Sequence, residues 1–382
     1  KGEQLGVPNM EFIRDGDVFF EKLWTDIDTA QDYIWILTYH FDDTWVGDIT
    51  MQKLIDAAKR GVHVVVMVDY LNFKMDYKLK LQLQEAGGYV YGIHPVLKLW
   101  KGRSIFRRNH QKIAVIDHNS FVGSANISSE YAGVKYGNWF FNDINMKFNG
   151  TLTEPSRDYI EKLAEYYELD IAAEKSKEYR EKYKDDETDI TLLTSDPVNK
   201  FQMTEEIIKM LEDATESISI VTPYYTKIDT VLKILKKKVS EGVNVEIITA
   251  KNRDQPIYKD WKNYDLFSDL IATGVEVYEI PDRYLHMKGY QIDDKLLTVG
   301  SFNNDHWSWR LNNEANIVTR NRELNKEFAK IREELRHNSR AVEIKPVKFS
   351  TFLKTKFWEY FADCCVVLMD YRSKRERDRH QL

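Results

Sequence analysis

Two short runs hold the side chains best suited to chemistry. In "RRNHQKIAVID", residues 107–117, His110 stands two residues before Lys112 and seven before Asp117. In "LHMKGYQID", residues 285–293, His286, Lys288 and Asp293 repeat that spacing. A histidine can act as a nucleophile toward phosphorus, or as a general acid or base near neutral pH. One imidazole does not easily do both jobs in a single turnover. Two imidazoles brought face to face can: one attacks phosphorus while the other protonates the leaving oxygen. Side chains alternate along a strand, so His110 and Lys112 share one face, as do His286 and Lys288. Each lysine then offers a point positive charge to a phosphate oxygen.

Each run is followed by a glycine-serine turn, Gly123-Ser124-Ala125-Asn126 and Gly300-Ser301-Phe302-Asn303. Ser124, Asn126, Ser301 and Asn303 are expected to donate further hydrogen bonds to a phosphate. A nucleophilic histidine also needs an acceptor on its other ring nitrogen, to fix tautomer and orientation. Asp143 in "WFFNDINMKFNG" and Glu314 in "RLNNEANIV" follow the turns at a suitable distance and are assigned that role. Asp117 and Asp293 close their strands, where pairing with a neighbouring base is the structural reading. A single His-x-Lys pair carries almost no weight, because chance pairs are common. Two copies at equivalent places in a repeat carry much more than the bland alternative of packed histidines in a decayed duplicate.

The other histidines (His40, His63, His94, His118, His306, His337 and His380) lack such a context. His306, close to the second run, is the one candidate for substrate contact. Tyr224 and Tyr225 are placed at the mouth of a cleft, with strand-end packing as the alternative. Asp42 and Asp43 read as a helix N-terminal signal.

Something must hold the two runs together, and the chain repeats itself in doing so. "YIWILTYHF" is followed by a helical pattern ending at Gly61-Val62, and "SISIVTPYY" by one ending at Gly242-Val243. "LQEAGGYVYGI" and "LIATGVEVYEI" recur next, and then the histidine runs. Each half is a β-α-β-α-β-β series, which predicts an α/β fold with a mostly parallel, helix-covered sheet. The expected architecture is two similar α/β halves related by a pseudo-twofold axis, with the active site at their interface. The segments are residues 1–155, a charged, solvated helical connector over 156–200, a second half over 201–340, and a tail over 341–382.

Bulk properties narrow the classes. The chain has 382 residues, 43% hydrophobic and 30% charged, as in a globular protein with a sizeable core. Its net charge of −6 argues against nucleic acid as a partner. The two cysteines, Cys364 and Cys365, are adjacent and suggest neither a disulfide framework nor a metal site. No run reaches the roughly 18 apolar residues of a membrane-spanning helix. In "VLKLWKGRSIFRR", residues 96–108, Leu97, Leu99, Trp100 and Phe106 interleave with basic residues, as at a membrane interface or a packed surface loop. Residues 349–382 combine a broadly apolar helical pattern with a basic end, which points to docking against this chain or to a protein partner.

Both histidine runs match the His-x-Lys-(x)4-Asp motif of the phospholipase D superfamily. "RRNHQKIAVIDHNSFVGSANISSEYAG", "TPYYTKIDTVLKILKKKVSEGVNVEIIT" and "GSFNNDHWSWRLNNE" resemble bacterial-type cardiolipin synthases, over roughly residues 10–335. The resemblance implies two phospholipase D-type halves and a catalytic set of His110, Lys112, Asp117, His286, Lys288 and Asp293. It also implies phosphatidyl transfer to an alcohol through a covalent phosphohistidine, with neither metal nor cofactor. His110 is the nucleophile by family pattern, although the sequence alone does not rank the two histidines. The partners expected are a phospholipid substrate and a membrane surface, and the location is membrane-associated, with the mitochondrial inner membrane as the named compartment. Two alternatives stand beside this reading: a phosphodiesterase or nuclease, and a structural subunit of a membrane assembly.

Overall fold

A computed structural model of the chain describes residues 9–94, 107–133, 135, 141–177, 189–196, 202–251, 267–281 and 284–343. The basic aromatic run over 95–106 and the tail over 344–382 lie outside the described residues, and so do the expectations placed on them.

The first half begins with β1 (Met10–Ile13), α1 (Gly16–Thr29), β2 (Tyr33–Thr38), β3 (Phe41–Asp42), α2 (Trp45–Lys59) and β4 (His63–Asp69). It continues with β5 (Phe73–Lys74), α3 (Tyr77–Glu85), β6 (Tyr89–Ile93), β7 (Ile113–Ile116) and β8 (Asn119–Gly123). β9 (Phe141–Asn142), β10 (Asn145–Asn149) and α4 (Glu154–Tyr167) complete it. The second half runs through β11 (Ile190–Ser195), α5 (Gln202–Glu212), β12 (Ser217–Thr222), α6 (Asp229–Ser240), β13 (Asn244–Ala250) and α7 (Phe267–Ile271). Then come β14 (Glu276–Ile280), β15 (Tyr284–Leu285), β16 (Gly289–Ile292), β17 (Leu296–Gly300) and α8 (His306–Arg310). β18 (Glu314–Thr319), α9 (Arg322–His337) and β19 (Arg340–Ala341) follow.

Seven strands form the first sheet in the order β1-β10-β8-β7-β2-β4-β6. The second sheet repeats that order as β11-β18-β17-β16-β12-β13-β14 and adds β19 at its edge. β2, β4 and β6 run parallel, as do β12, β13 and β14. The other pairings within these two sheets are antiparallel, so each sheet is mixed rather than mostly parallel. The cause lies in the motif strands: β7 turns back into β8 through only Asp117 and His118, too tight a connection for anything but a hairpin.

β2 reads YIWILT and is buried along its whole length, as a central strand covered on both faces must be. Gly61 and Gly242 end α2 and α6 at φ 94° and 88°, where a side chain would be strained. The outer faces of the sheets pack against α1 and α2 in one half and α5, α6 and α7 in the other. Their inner faces share one core, in which Trp35, Met67 and Val115 of the first sheet join Ile248, Val299 and Ile317 of the second. α4 and α9 complete that shared layer.

The described part of the stretch over 156–200 departs from a solvated connector. α4 buries Tyr159, Ile160, Leu163 and Ala164 between the sheets, each large apolar group contributing about 1.5–3 kcal/mol. Arg157 is fully buried, its Nε donating to the Tyr33 hydroxyl (2.7 Å) and its Nη2 to the Asp117 carbonyl (2.9 Å). The second sheet also starts earlier than residue 201, because β11 pairs along its whole length with β18. High charge content concealed a helix with one apolar face.

Candidate active site

The histidine runs meet where the halves exchange backbone. β15 pairs with β9 across the interface, and the N–H groups of His286 and Met287 both donate to the Asn142 carbonyl (2.9 and 2.8 Å). The other side mirrors this: Asn109 bridges to Asn313, and the His110 N–H donates to the Asn313 carbonyl at 2.8 Å. Each pinning asparagine immediately precedes a buried carboxylate of its own half.

Those carboxylates cross the interface. His110 Nδ1 donates to Glu314 Oε2 (2.9 Å) and lies 3.0 Å from the Ser301 carbonyl. His286 Nδ1 donates to Asp143 Oδ1 at 2.7 Å. Each half thus supplies one imidazole and the carboxylate that orients the other's, a crossing that spacing alone did not disclose. The proton on Nδ1 leaves the Nε2 lone pair as the reactive position. His110 Nε2 makes no hydrogen bond among the described residues, whereas His286 Nε2 sits 2.9 Å from Lys288 Nζ.

Electrostatics join the two motifs into one site. Burial depresses the His110 imidazole to about 4, outweighing the attraction of Glu314, with Lys112 and Lys288 adding to the depression. Burial and Lys288 lower His286 to about 3 against the pull of Asp143, and Lys112 adds to this from across the cleft. Lys112 falls to about 7 by burial, against the pull of Glu314 and Asp143, and Lys288 is driven well below its ordinary value by burial. Burial raises the two carboxylates, but the facing histidines and lysines more than offset it, so both end below their usual range. The cleft therefore holds ionised carboxylates, neutral imidazoles and cations that are costly to keep charged. A bound phosphodiester would add further negative charge to the cleft and favour the charged forms of all four basic groups.

The serines depart from expectation. Ser301 Oγ donates to Glu314 Oε2 (2.5 Å) and Ser124 Oγ to Asp143 Oδ1 (2.6 Å). Both hydroxyls also accept a backbone N–H, from Ala315 and Ile144 respectively. Both hydroxyls are engaged by the carboxylates and by backbone amides, so in this structure they brace Asp143 and Glu314. Asn126 is tied to the Tyr131 hydroxyl and the His40 N–H. Asn303 keeps a buried amide oxygen with no partner among the described residues.

Asp117 and Asp293 also depart from the catalytic set. Each lies past the far end of its strand from the histidine, at φ 49° and 54°. Asp117 accepts the N–H groups of Gln31, Asp32 and Tyr33, and Asp293 those of Thr215, Glu216 and Ser217. Their partners are backbone amides at the start of the neighbouring strand rather than an ionised base. They clamp the sheet that carries the histidines.

Several neighbours escaped the sequence reading. Tyr39 meets His110 edge-on at 5.1 Å, with Lys112 Nζ 5.3 Å from its ring centroid. Tyr131 and Phe141 flank His286, each at 5.2 Å. Asp69 Oδ2 accepts the Asn109 N–H (2.8 Å), directly before His110, and Asp69 Oδ1 faces Arg108 at 3.3 Å. The repeated Asn-Asp and Asn-Glu steps marked Asn142 and Asn313. Tyr225 is buried against Phe267 and belongs to the core, while Tyr224 is half-buried near Tyr131. His306 opens α8 behind Asp305, whose buried carboxyl is pushed up to about 6.

The family model for the cardiolipin synthase, PLD-like domain matches residues 23–141 and 207–336. The major cardiolipin synthase ClsA of Bacillus subtilis is 29% identical over 317 residues, covering 81% of this chain and 64% of that protein. A cardiolipin synthase of Staphylococcus aureus is 27% identical over 333 residues, covering 84% of this chain and 65% of its own. The chain thus spans slightly less than two thirds of these curated relatives. These relatives are bacterial, and the expectation of a mitochondrial location finds no support in them. The fold matches the crystal structure of phosphatidylserine synthase from Haemophilus influenzae with a TM-score of 0.72, at 16% identity and 96% coverage of each chain. One matched segment carries His110 and the other His286, and the chain belongs to the cardiolipin synthase, PLD-like domain family.

Proposed function

We propose that this protein is a phosphatidyltransferase of the cardiolipin synthase type, acting on phospholipid at a membrane surface. The observation that carries the reading is the crossed pair of imidazole–carboxylate contacts, His110–Glu314 and His286–Asp143, each beside a buried lysine. His110 Nε2 attacks phosphorus of the donor lipid, and the bond from phosphorus to the leaving alcohol breaks. Lys288 Nζ passes a proton to the Nε2 lone pair of His286, and His286 hands it on to the departing oxygen. The unengaged Nε2 of His110 supports this order, as does the contact of His286 Nε2 with Lys288 Nζ, from which a proton can be supplied.

A lipid or other alcohol then enters, and as its oxygen attacks the phosphohistidine His286 Nε2 takes its proton and returns it to Lys288 Nζ. This regenerates neutral His110. Lys112 and Lys288 hold the equatorial oxygens, and Glu314 stabilises the positive charge on the phosphorylated imidazole. The resemblances to bacterial cardiolipin synthases favour lipid over nucleic acid as substrate.

The test is to incubate the protein with isotopically labelled phosphatidylglycerol in bilayers and to identify products by mass. Cardiolipin and glycerol are expected, with turnover abolished in His110→Ala and His286→Ala. Phosphatidic acid as the sole product would instead indicate transfer to water. Absence of any lipid product from the wild-type chain would defeat the proposal.

A further inference from the structure

Resting on the lipid reaction proposed above, we infer that the surface from Tyr70 to Leu81 seats on the headgroup layer of an anionic phospholipid bilayer. Among the described residues this segment holds the most exposed large apolar side chains: Tyr77 is 68% exposed, Leu71 54% and Tyr70 48%. Leu81 is exposed as well, and it lies one turn after Tyr77 on the same face of α3. Ile49 is exposed on α2, which packs against α3. Such a grouping is more than the scattered apolar surface of an ordinary domain.

The cations are interleaved with it. Lys74 and Lys78 are exposed, and the Lys80 ammonium lies 4.7 Å from the centroid of the Phe73 ring, its stem laid along apolar surface. Asp76 is the sole carboxylate from 70 to 81, and it is committed to the N–H groups of Lys78 and Leu79 at the start of α3. Asp43 and Asp48, near the start of α2, bound the patch on one side. Lysine is depleted at the core of protein–protein interfaces, whereas tyrosine, leucine and lysine together suit the boundary between acyl chains and anionic headgroups.

The patch is continuous with the cleft. The Asn72 side chain, in the turn Tyr70–Asn72, hydrogen-bonds the Asp69 carboxylate and the Tyr39 hydroxyl. Asp69 holds the N–H directly before His110, and Tyr39 touches the His110 ring. A bilayer seated on this segment would lie beside the cleft, so a lipid could present its phosphate without leaving the membrane.

The experiment is co-sedimentation of the full chain with vesicles of phosphatidylcholine, alone or with phosphatidylglycerol. The triple change Leu71→Ser, Tyr77→Ser, Leu81→Ser should reduce partition about tenfold or more by removing apolar area from the interface. The double change Lys74→Glu, Lys78→Glu should remove the preference for anionic vesicles. Thermal midpoint and turnover of a short-chain, monomeric phosphatidylglycerol should stay at wild-type values in both. Wild-type partition in the triple variant would overturn the inference, as would equal binding of the wild type to both vesicle types. A fall in melting temperature together with lost monomer turnover would also overturn it, by showing that the patch packs on its own chain. Failure of the reaction proposal reads differently: the wild type would turn over no lipid, while partition would still depend on these side chains.

Discussion

Replacing Glu314 by glutamine separates orientation from mere packing, because it keeps shape and removes charge. Glu314 accepts from His110 Nδ1 at 2.9 Å, Ser301 Oγ at 2.5 Å and Ser308 Oγ at 2.6 Å. An amide has one acceptor oxygen where the carboxylate has two. If that oxygen keeps His110 and Ser301, the ring stays oriented and only the charge is lost. A hydrogen bond to a charged group contributes about 1.5–3 kcal/mol against about 1 for a neutral one, so the expected loss is roughly tenfold. If the NH2 faces His110 instead, Nδ1 must become an acceptor and the ring proton moves to Nε2. The lone pair needed for attack is then gone, a tautomer error that costs a histidine-dependent enzyme up to about 10⁴-fold. The assay is a single-turnover reaction with acid quench that follows phosphohistidine on His110. Glu314→Gln should slow adduct formation between tenfold and about 10⁴-fold, with little change in melting temperature. Asp143→Asn should leave adduct formation from a good leaving group nearly intact and slow it for a poor one. A Glu314→Gln enzyme within about threefold of wild type would refute the oriented-nucleophile reasoning.

Asp117→Ala should destabilise the fold by about 2–3 kcal/mol, since three backbone N–H groups lose their acceptor, while the folded fraction turns over at the wild-type rate; chemical denaturation with activity normalised to folded protein checks both. In the free enzyme the acid limb of kcat/KM should lie near pH 4, where His110 gains a proton, and the alkaline limb near pH 7, where Lys112 loses one. Both limbs should move upward once a phosphodiester is bound, which a comparison with the profile of kcat reveals. Stability should fall as pH drops from about 6.5 toward 4, because in that window the unfolded chain binds protons that the buried histidines refuse; melting temperature against pH checks the sign. Gly300→Ala would put a Cβ 2.2 Å from the Ala315 carbonyl oxygen and 2.5 Å from Asn316 Oδ1, next to Glu314. It should cost about 1–3 kcal/mol and reduce activity, as both a thermal melt and the lipid assay would record.

Much of this arrangement was legible in the chain. The repeat located both sheets because β-branched runs, amphipathic helices and terminal glycines recur in the same order. The histidines, lysines and carboxylates that meet in the cleft could be named from spacing, since period-two strands fix which side chains share a face. Pairing across the interface was not legible: Asp143 with His286, and Glu314 with His110, depend on how two sheets dock, which no local pattern encodes. The serine hydroxyls looked available because sequence does not reveal that a nearby carboxylate already holds them. α4 read as solvated because its many charges outnumber the four apolar positions it buries. The mixed sheet was missed because alternation of strands and helices in the first part of each half says nothing about the two-residue turn at Asp117 and His118.

The backbone exchange at Asn142 and Asn313 has a consequence for how the chain reaches competence. Neither half can prepare its own imidazole. A species with only the first half folded has His110 without Glu314, without the Ser301 carbonyl, and without the amide acceptor that sets its height in the cleft. The same holds for His286 when the second half folds alone. Reactivity therefore works as a conjunction, switched on only when both halves are folded and docked. On the proposed mechanism, a half-folded molecule would carry no oriented nucleophile. The two-half architecture thereby carries a check on its own assembly.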